Sequence, residues 1–184
     1  MKASLALLAA VLALAAGCTT NAPNYQPVVA NIDAAARLKS GIAVGKFDFK
    51  NGEESTLNSV TARADTFRSP VNNSYADYLA EAAKSELMAA GKLDAASRKS
   101  LTGTIEKNRL TAGGFYTNEA EVSVRFQLSG TGYDKTITSN HEWESSALGG
   151  IAIPRAITNY VITLQRLLNK LYSDPQFVEA TSQP

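Results

Sequence analysis

The sequence predicts an α+β domain, a two-layer sandwich in which a mixed β-sheet carries two helices on one face in the order β(β)αβββα. Two periodicities predict it. Val122, Val124, Phe126 and Leu128 alternate with Glu121, Ser123, Arg125 and Gln127, the period of a strand with one buried face. Tyr75, Tyr78, Leu79, Ala82, Ala83, Leu87 and Ala90 recur at helical spacing, as do Ile157, Tyr160, Val161, Leu164, Leu167, Leu168, Leu171 and Tyr172 further on. Each of these segments has one apolar side to bury, and two one-sided helices over a one-sided sheet make the most economical packing.

Taken in order, the domain opens with a strand over Gly41–Phe49, rich in β-branched and aromatic residues. Ile42 and Val44 share one parity and Phe47 and Phe49 the other, so either both faces are covered or a bulge near Gly45 switches sides. Val60–Ala64 is an edge-type strand candidate, and 70–73 is a loop. The first long helix is punctuated by Ser74, with Asp77 three residues on, and by Gly91 at a left-handed C-terminal cap. Leu101, Gly103 and Ile105 alternate with Thr102, Thr104 and Glu106, and Gly113–Gly114 makes a loop. Ile137, Ser139, His141 and Trp143 then share one face of a third strand, so the three strands form an antiparallel meander. Pro154 suits the first turn of the last helix, and Asp174–Pro175 ends it.

Upstream of this domain, Lys2 and an uncharged Leu/Ala/Val run to Ala16 have the form of a signal segment, too short for a bilayer span of about 20 residues. Leu14-Ala15-Ala16-Gly17-Cys18 resembles the lipobox of bacterial lipoproteins, although the position three before the cysteine is Ala15 where Leu is usual. That resemblance implies a signal peptide over 1–17 and a diacylglyceryl group on Cys18, with membrane attachment through the lipid. The alternative is an ordinary secretory signal cut after a small-x-small triplet. Thr19, standing where Asp retains lipoproteins in the inner membrane, resembles the outer-membrane sorting pattern and implies a domain facing the periplasm of a Gram-negative cell. Residues 18–40, polar at first and carrying Pro23 and Pro27, read as a lipidated N-terminus and extended tether, with Val28–Ser40 ambiguous between tether and a short helical turn in which Ile32, Ala36 and Leu38 meet the domain, and 41–184 as the domain.

Composition bounds the chemistry. Eighteen basic and seventeen acidic residues, without a Lys/Arg cluster, argue against nucleic acid. One cysteine and one histidine supply neither a disulfide nor a zinc set, and no cofactor is expected. In His141-Glu142-Trp143-Glu144 alternation sends His141 and Trp143 to one face and both glutamates to the other, so neither carboxylate can serve the imidazole within the strand. The glutamates could flank a sugar as a carboxylate pair, but neighbouring strand acids are commonly a solvated face. No catalytic residue is assigned. Ala147–Ile153, seven consecutive apolar or glycine residues, reads either as a loop seating the final helix or as part of a groove for a lipid or a partner protein. Its Leu148, Ile151 and Ile153, with Ile162 on the polar side of the last helix, are the candidate partner or ligand surface.

Ser74-Tyr75-Ala76-Asp77-Tyr78-Leu79, the strands at Leu101 and Val122, and His141-Glu142-Trp143-Glu144-Ser145-Ser146 with its long final helix together resemble a group of small proteobacterial lipoproteins. In layout these are similar to the auxiliary lipoproteins of ABC-type lipid transporters. The resemblance covers about residues 41–180 and implies a two-layer α/β domain that works as a periplasmic partner-binding module. It transfers no catalytic residue. The expected function is a non-enzymatic accessory or adaptor of an envelope transport or assembly complex, with an envelope protein as partner. The alternatives are a lipid- or glycan-binding lipoprotein and, third, an envelope hydrolase.

Overall fold

The computed structural model describes residues 19–113 and 117–183. Cys18 and the signal segment 1–17 lie outside the described residues, as does Gly114 of the expected Gly113–Gly114 loop. In chain order the elements are β1 (Thr19–Asn21), α1 (Val29–Ala36), β2 (Ala43–Phe49), α2 (Glu54–Leu57), β3 (Val60–Ala62), β4 (Asp65–Arg68), α3 (Tyr75–Ala89), β5 (Ser100–Thr111), β6 (Thr117–Leu128), β7 (Tyr133–Glu144), α4 (Gly149–Tyr172) and α5 (Pro175–Ala180).

The alternating strands build the main sheet, ordered β2-β5-β6-β7, with β2 parallel to β5 and the rest an antiparallel meander. Pairs such as Leu101 with Leu128, Ile105 with Val124 and Val124 with Ile137 put their side chains on one buried face. On that face α3 packs against β2 and β5, and α4 against β6 and β7. The other face is solvated and carries Arg109–Glu119, Lys107–Glu121 and Arg125–Asp134 ion pairs, exposed contacts that contribute little to stability. The parity change in β2 is a bulge: Val44 pairs with Leu101 but Phe47 with Gly103.

The ends of α3 follow the chemistry of its caps. Ser74 Oγ accepts from the Asp77 N–H at 3.2 Å, while the Asp77 carboxylate accepts from Asn72 Nδ2 at 3.0 Å, so the reciprocal half of a capping box is not made. At the other end Gly91 adopts φ +66°, and the N–H groups of Gly91 and Lys92 donate to the carbonyls of Met88 (3.0 Å) and Leu87 (2.7 Å). This is the left-handed double cap that glycine allows.

The two-helix description is only part of the architecture. A second sheet, ordered β1-β4-β3, and three further helices complete it. Two of the added elements, β1 and α1, come from residues 18–40: the expected extended tether is corrected to a strand at Thr19–Asn21, and the ambiguous Val28–Ser40 contains a helix. β1 pairs parallel with β4, from Thr19 opposite Thr66 to Asn21 opposite Arg68. Ala22 is buried, Tyr78 Oη donates to the Pro23 carbonyl at 2.9 Å, and the Tyr25 ring meets Tyr78 edge-on at 6.2 Å. α1 packs on α3 and α4 and buries Asn31, Ala34 and Ala35, small side chains that fit close against helices without the bulk of an obvious apolar stripe.

Glu86 explains how a polar segment is held. It lies on the apolar stripe of α3, fully buried, and its Oε1 accepts from Tyr25 Oη and, at 2.7 Å, from Asn31 Nδ2. Burial pushes the carboxyl up to about 7, partly offset by those two hydrogen bonds. Tyr25→Phe removes one donor and should lower the unfolding free energy by about 1 kcal/mol in urea denaturation below pH 7, the worth of a hydrogen bond to an uncharged carboxyl.

The last helix also begins earlier than the position of Pro154 implies. The Ile151 and Ala152 N–H groups already donate to the Leu148 carbonyl, at 3.0 and 2.9 Å, so Gly149–Ile153 are helical rather than a loop. Pro154 sits inside the helix, where its ring faces the carbonyl of residue i−4; that residue is Gly150, which adds no side chain to the crowding.

Candidate functional site

The four apolar residues singled out in the sequence do not form one surface. Leu148 and Ile151 stand exposed at the N-terminal tip of α4, Ile153 turns inward against the core, and Ile162 lies ~17 Å farther along the helix from Ile151, at 1.5 Å per residue. The structure therefore splits the candidate surface into a tip and a groove.

The groove holds about 490 Å³ and runs between α1 and α4 over the edge strand β7. Val28, Ala30 and Asn31 form one wall, Ile162, Gln165, Arg166, Asn169 and Lys170 the other, and Ser139 and Asn140 the floor. Amides fix its width: Asn31 Nδ2 donates to the Gln165 carbonyl at 2.8 Å, Asn169 Nδ2 to the Ala30 carbonyl at 3.3 Å, and Gln165 Nε2 to the Gln26 carbonyl at 3.1 Å. Asn31 is shared with Glu86, so the buried carboxyl and the groove wall are one hydrogen-bonded unit.

Three features give the groove chemical character. Ser139 is fully buried and its Oγ has no partner among the described residues. Arg166 and Lys170, one helical turn apart, make no ion pair among the described residues; they donate instead to His141 Nδ1 at 2.7 Å and to the Thr138 carbonyl at 2.8 Å. The nearest acid in sequence, Asp174, is engaged by Lys135 Nζ at 2.7 Å and Tyr133 Oη at 3.1 Å and accepts from the Gln176 N–H that opens α5. Among the described residues no Asp or Glu lines the groove. Such a cleft suits a ligand or partner segment with apolar body and negative or acceptor groups.

His141 is held by partners outside its own strand, with neither glutamate serving the imidazole. Arg166 can only donate, so Nδ1 accepts and the ring proton sits on Nε2, which donates to Asn159 Oδ1 at 2.8 Å. The ring lies 5.7 Å from Trp143, and Glu142 and Glu144 point to solvent on the opposite face. Both nitrogens are engaged within the fold. Among the described residues no three His, Cys, Asp or Glu side chains converge as a metal site, and no helix is long and apolar enough to cross a membrane.

Ser139, Arg166 and Lys170 were absent from the sequence candidates. A paired-cation signal at i, i+4 was present, but nothing in the chain before folding says that α1 would face it. The residues of α1 read as ambiguous, a short helical turn against the domain at most, and without them there is no second wall.

An α+β fold with a mixed sheet, two long helices on one face and a small accessory sheet is the class these observations define. A Xanthomonas campestris protein of the DUF330 family shares the fold, with TM-score 0.54 at 12% identity over 88% of this chain and 96% of the other. Two other solved chains are similar at lower score: a Caulobacter crescentus protein provisionally described as a lipoprotein (TM-score 0.44, 11% identity, 84% of this chain and 97% of the other) and an uncharacterised protein (TM-score 0.45, 9% identity, 83% and 98%). No family model matches the chain, and no curated protein does.

Proposed function

We propose that this protein is a lipid-anchored, non-enzymatic accessory of an envelope transport or assembly complex, held at the outer membrane through Cys18 and facing the periplasm. The carrying observation is the groove, where two cations without acidic partners flank a buried, unpartnered Ser139 hydroxyl. A binding surface of that kind, on a body attached at its N-terminus, favours an adaptor that captures a segment of a larger assembly. The sequence resemblance to transporter auxiliary lipoproteins points the same way.

Photocrosslinking in the native host tests this reading. A photoreactive residue at Ile162 or Asn169 should give an adduct of fixed mass with one envelope protein, and the adduct should fall by about tenfold with Arg166→Glu/Lys170→Glu, as expected when charges at an interface are reversed. A probe at Thr104 on the solvated sheet face serves as the reference. Equal adducts at all sites, or none at the groove, would count against an adaptor.

A second reading is favoured by the apolar side chains of Val28, Ala30 and Ile162 beside those cations: a lipid with a negative headgroup as the groove's ligand. It moves the lipid site expected at Ala147–Ile153 to the other end of α4. Native mass spectrometry of the protein released from the membrane distinguishes it, since a bound lipid that disappears with Ile162→Asp supports this reading.

A further inference from the structure

The exposed tip of α4 and the start of the described chain lie at the same end of the molecule. β1 runs parallel to β4 with Thr19 opposite Thr66, so the chain enters the fold beside the turn that joins β3 to β4. Arg63 occupies that turn with φ +58°. Its guanidinium reaches across to the segment before α4, donating to the Ser146 carbonyl and, at 3.2 Å, to that of Ala147. The next residue is Leu148. One strand spacing, three residues of chain and the Arg63 side chain separate Thr19 from this tip, within about 25 Å in all. Cys18 is a single peptide unit further.

The tip itself is apolar and open. Leu148 is 66% exposed and Ile151 47%, and their three-residue spacing puts them on one side of the helix start. Ala147, Gly150 and Pro154 around them are also exposed, and along the chain no charged residue follows until Arg155, one turn beyond Ile151; the one charge brought to the tip from elsewhere, the half-buried Arg63 guanidinium, is turned onto the Ser146 and Ala147 carbonyls. An uncharged apolar tip followed by a cation is the arrangement of a segment that enters the interfacial layer of a bilayer and leaves its charge among the headgroups.

We infer that Leu148 and Ile151 are a second membrane contact, inserted into the same leaflet that holds the acyl chains of Cys18, and that Arg63 clips this tip to the sheet through which the chain leaves its anchor. Attachment at one residue would let the body rotate; attachment at two separated places fixes which side faces the membrane. The occupant is the lipid surface because the tip lies within about 25 Å of the residue that follows Cys18, and the chain has no slack between Cys18 and β1 to lift the tip away. The inference rests on lipid attachment at Cys18, and it does not depend on what the groove binds.

The lipid consumes the thiol of Cys18, so a cysteine introduced elsewhere can be labelled alone. Leu148→Cys and Ile151→Cys, each carrying an environment-sensitive fluorophore, are compared with Ser173→Cys, ~33 Å beyond Ile151 along α4 at 1.5 Å per residue. The full lipidated protein is reconstituted in phosphatidylethanolamine/phosphatidylglycerol vesicles. Headgroup-proximal spin-labelled lipids should quench the tip labels by about threefold, with a blue shift, and leave the Ser173→Cys label unchanged, as insertion to interfacial depth requires. Equal quenching at the three sites, or none at the tip, overturns the membrane contact. Mass spectrometry of the same samples separates the failures: a chain without lipid on Cys18 removes both the anchor and the contact, whereas a lipidated chain whose tip is not quenched removes the contact alone and leaves the patch for a protein partner.

Discussion

Glu86→Gln should abolish a fall in stability that the natural protein shows as pH rises from about 4.5 to about 7. The folded carboxyl keeps its proton up to about 7 because it is buried, while in the unfolded chain it lets go near 4.5. Between those values the native state binds more protons than the unfolded state, so unfolding free energy decreases with pH. It is highest below the lower value and is lost as pH passes the higher one. A difference of that size corresponds to about 3 kcal/mol. Asp48 and Asp134, held low by hydrogen bonds from Lys46 and Arg125, act in the opposite sense and only below the ordinary carboxylate range. Glutamine can accept both donors at its carbonyl oxygen but puts an amide where the unpartnered Oε2 was, which lowers stability by a constant amount. The slope of urea-derived stability against pH is therefore the readout. A Glu86→Gln slope equal to that of the natural chain would show that the carboxyl titrates normally.

Gly103→Val should be the most damaging single change in the sheet. A Cβ at this position would lie 2.6 Å from two ring atoms of Phe47, and that ring has nowhere to go: it is buried edge-on against Phe126 at 6.1 Å. Overpacking of this kind costs about 3 kcal/mol, and a domain of this size loses ~10 °C in Tm for it. The cause is checked by a double-mutant cycle with Phe47→Ala, which removes the clash. Adding Gly103→Val to Phe47→Ala should cost less than about 1 kcal/mol. An undiminished cost in that background would place the problem in the backbone rather than the ring.

Where the sequence has strong local order, the fold was legible in it. The stripe of α3 between Ser74 and Gly91 and the alternation of β6 became the expected helix and strand, and the parity change at Gly45 resolved to the bulge, one of its two readings. Elements that depend on distant partners were not legible. Thr19–Asn21 is a strand only because Asp65–Arg68 lies beside it, and α1 is anchored by small residues and by Asn31, whose partners are 55 and 134 positions away. Glu86 offered a hint, since an acid on an apolar stripe must find donors when buried. The helix start at Gly149 was hidden by two glycines and a proline, residues that ordinarily mark a boundary. The site suffered most from this: Ile162 was found, but the wall opposite it belongs to Val28–Ser40, where a short helical turn could be suspected and its docking beside α4 could not.

Because β1 starts at the residue after Cys18, the body has no leash. A spacer of nine residues would let it sweep a hemisphere of roughly 30 Å radius, and any partner would have to arrest that motion on docking. Under the inferred membrane attachment, with lipid on Cys18 and the Leu148/Ile151 tip in the leaflet, the arrest would come from the fold itself: the groove between α1 and α4 would be presented at a set height and angle, and binding would forgo much of the rotational entropy that a tethered module would lose.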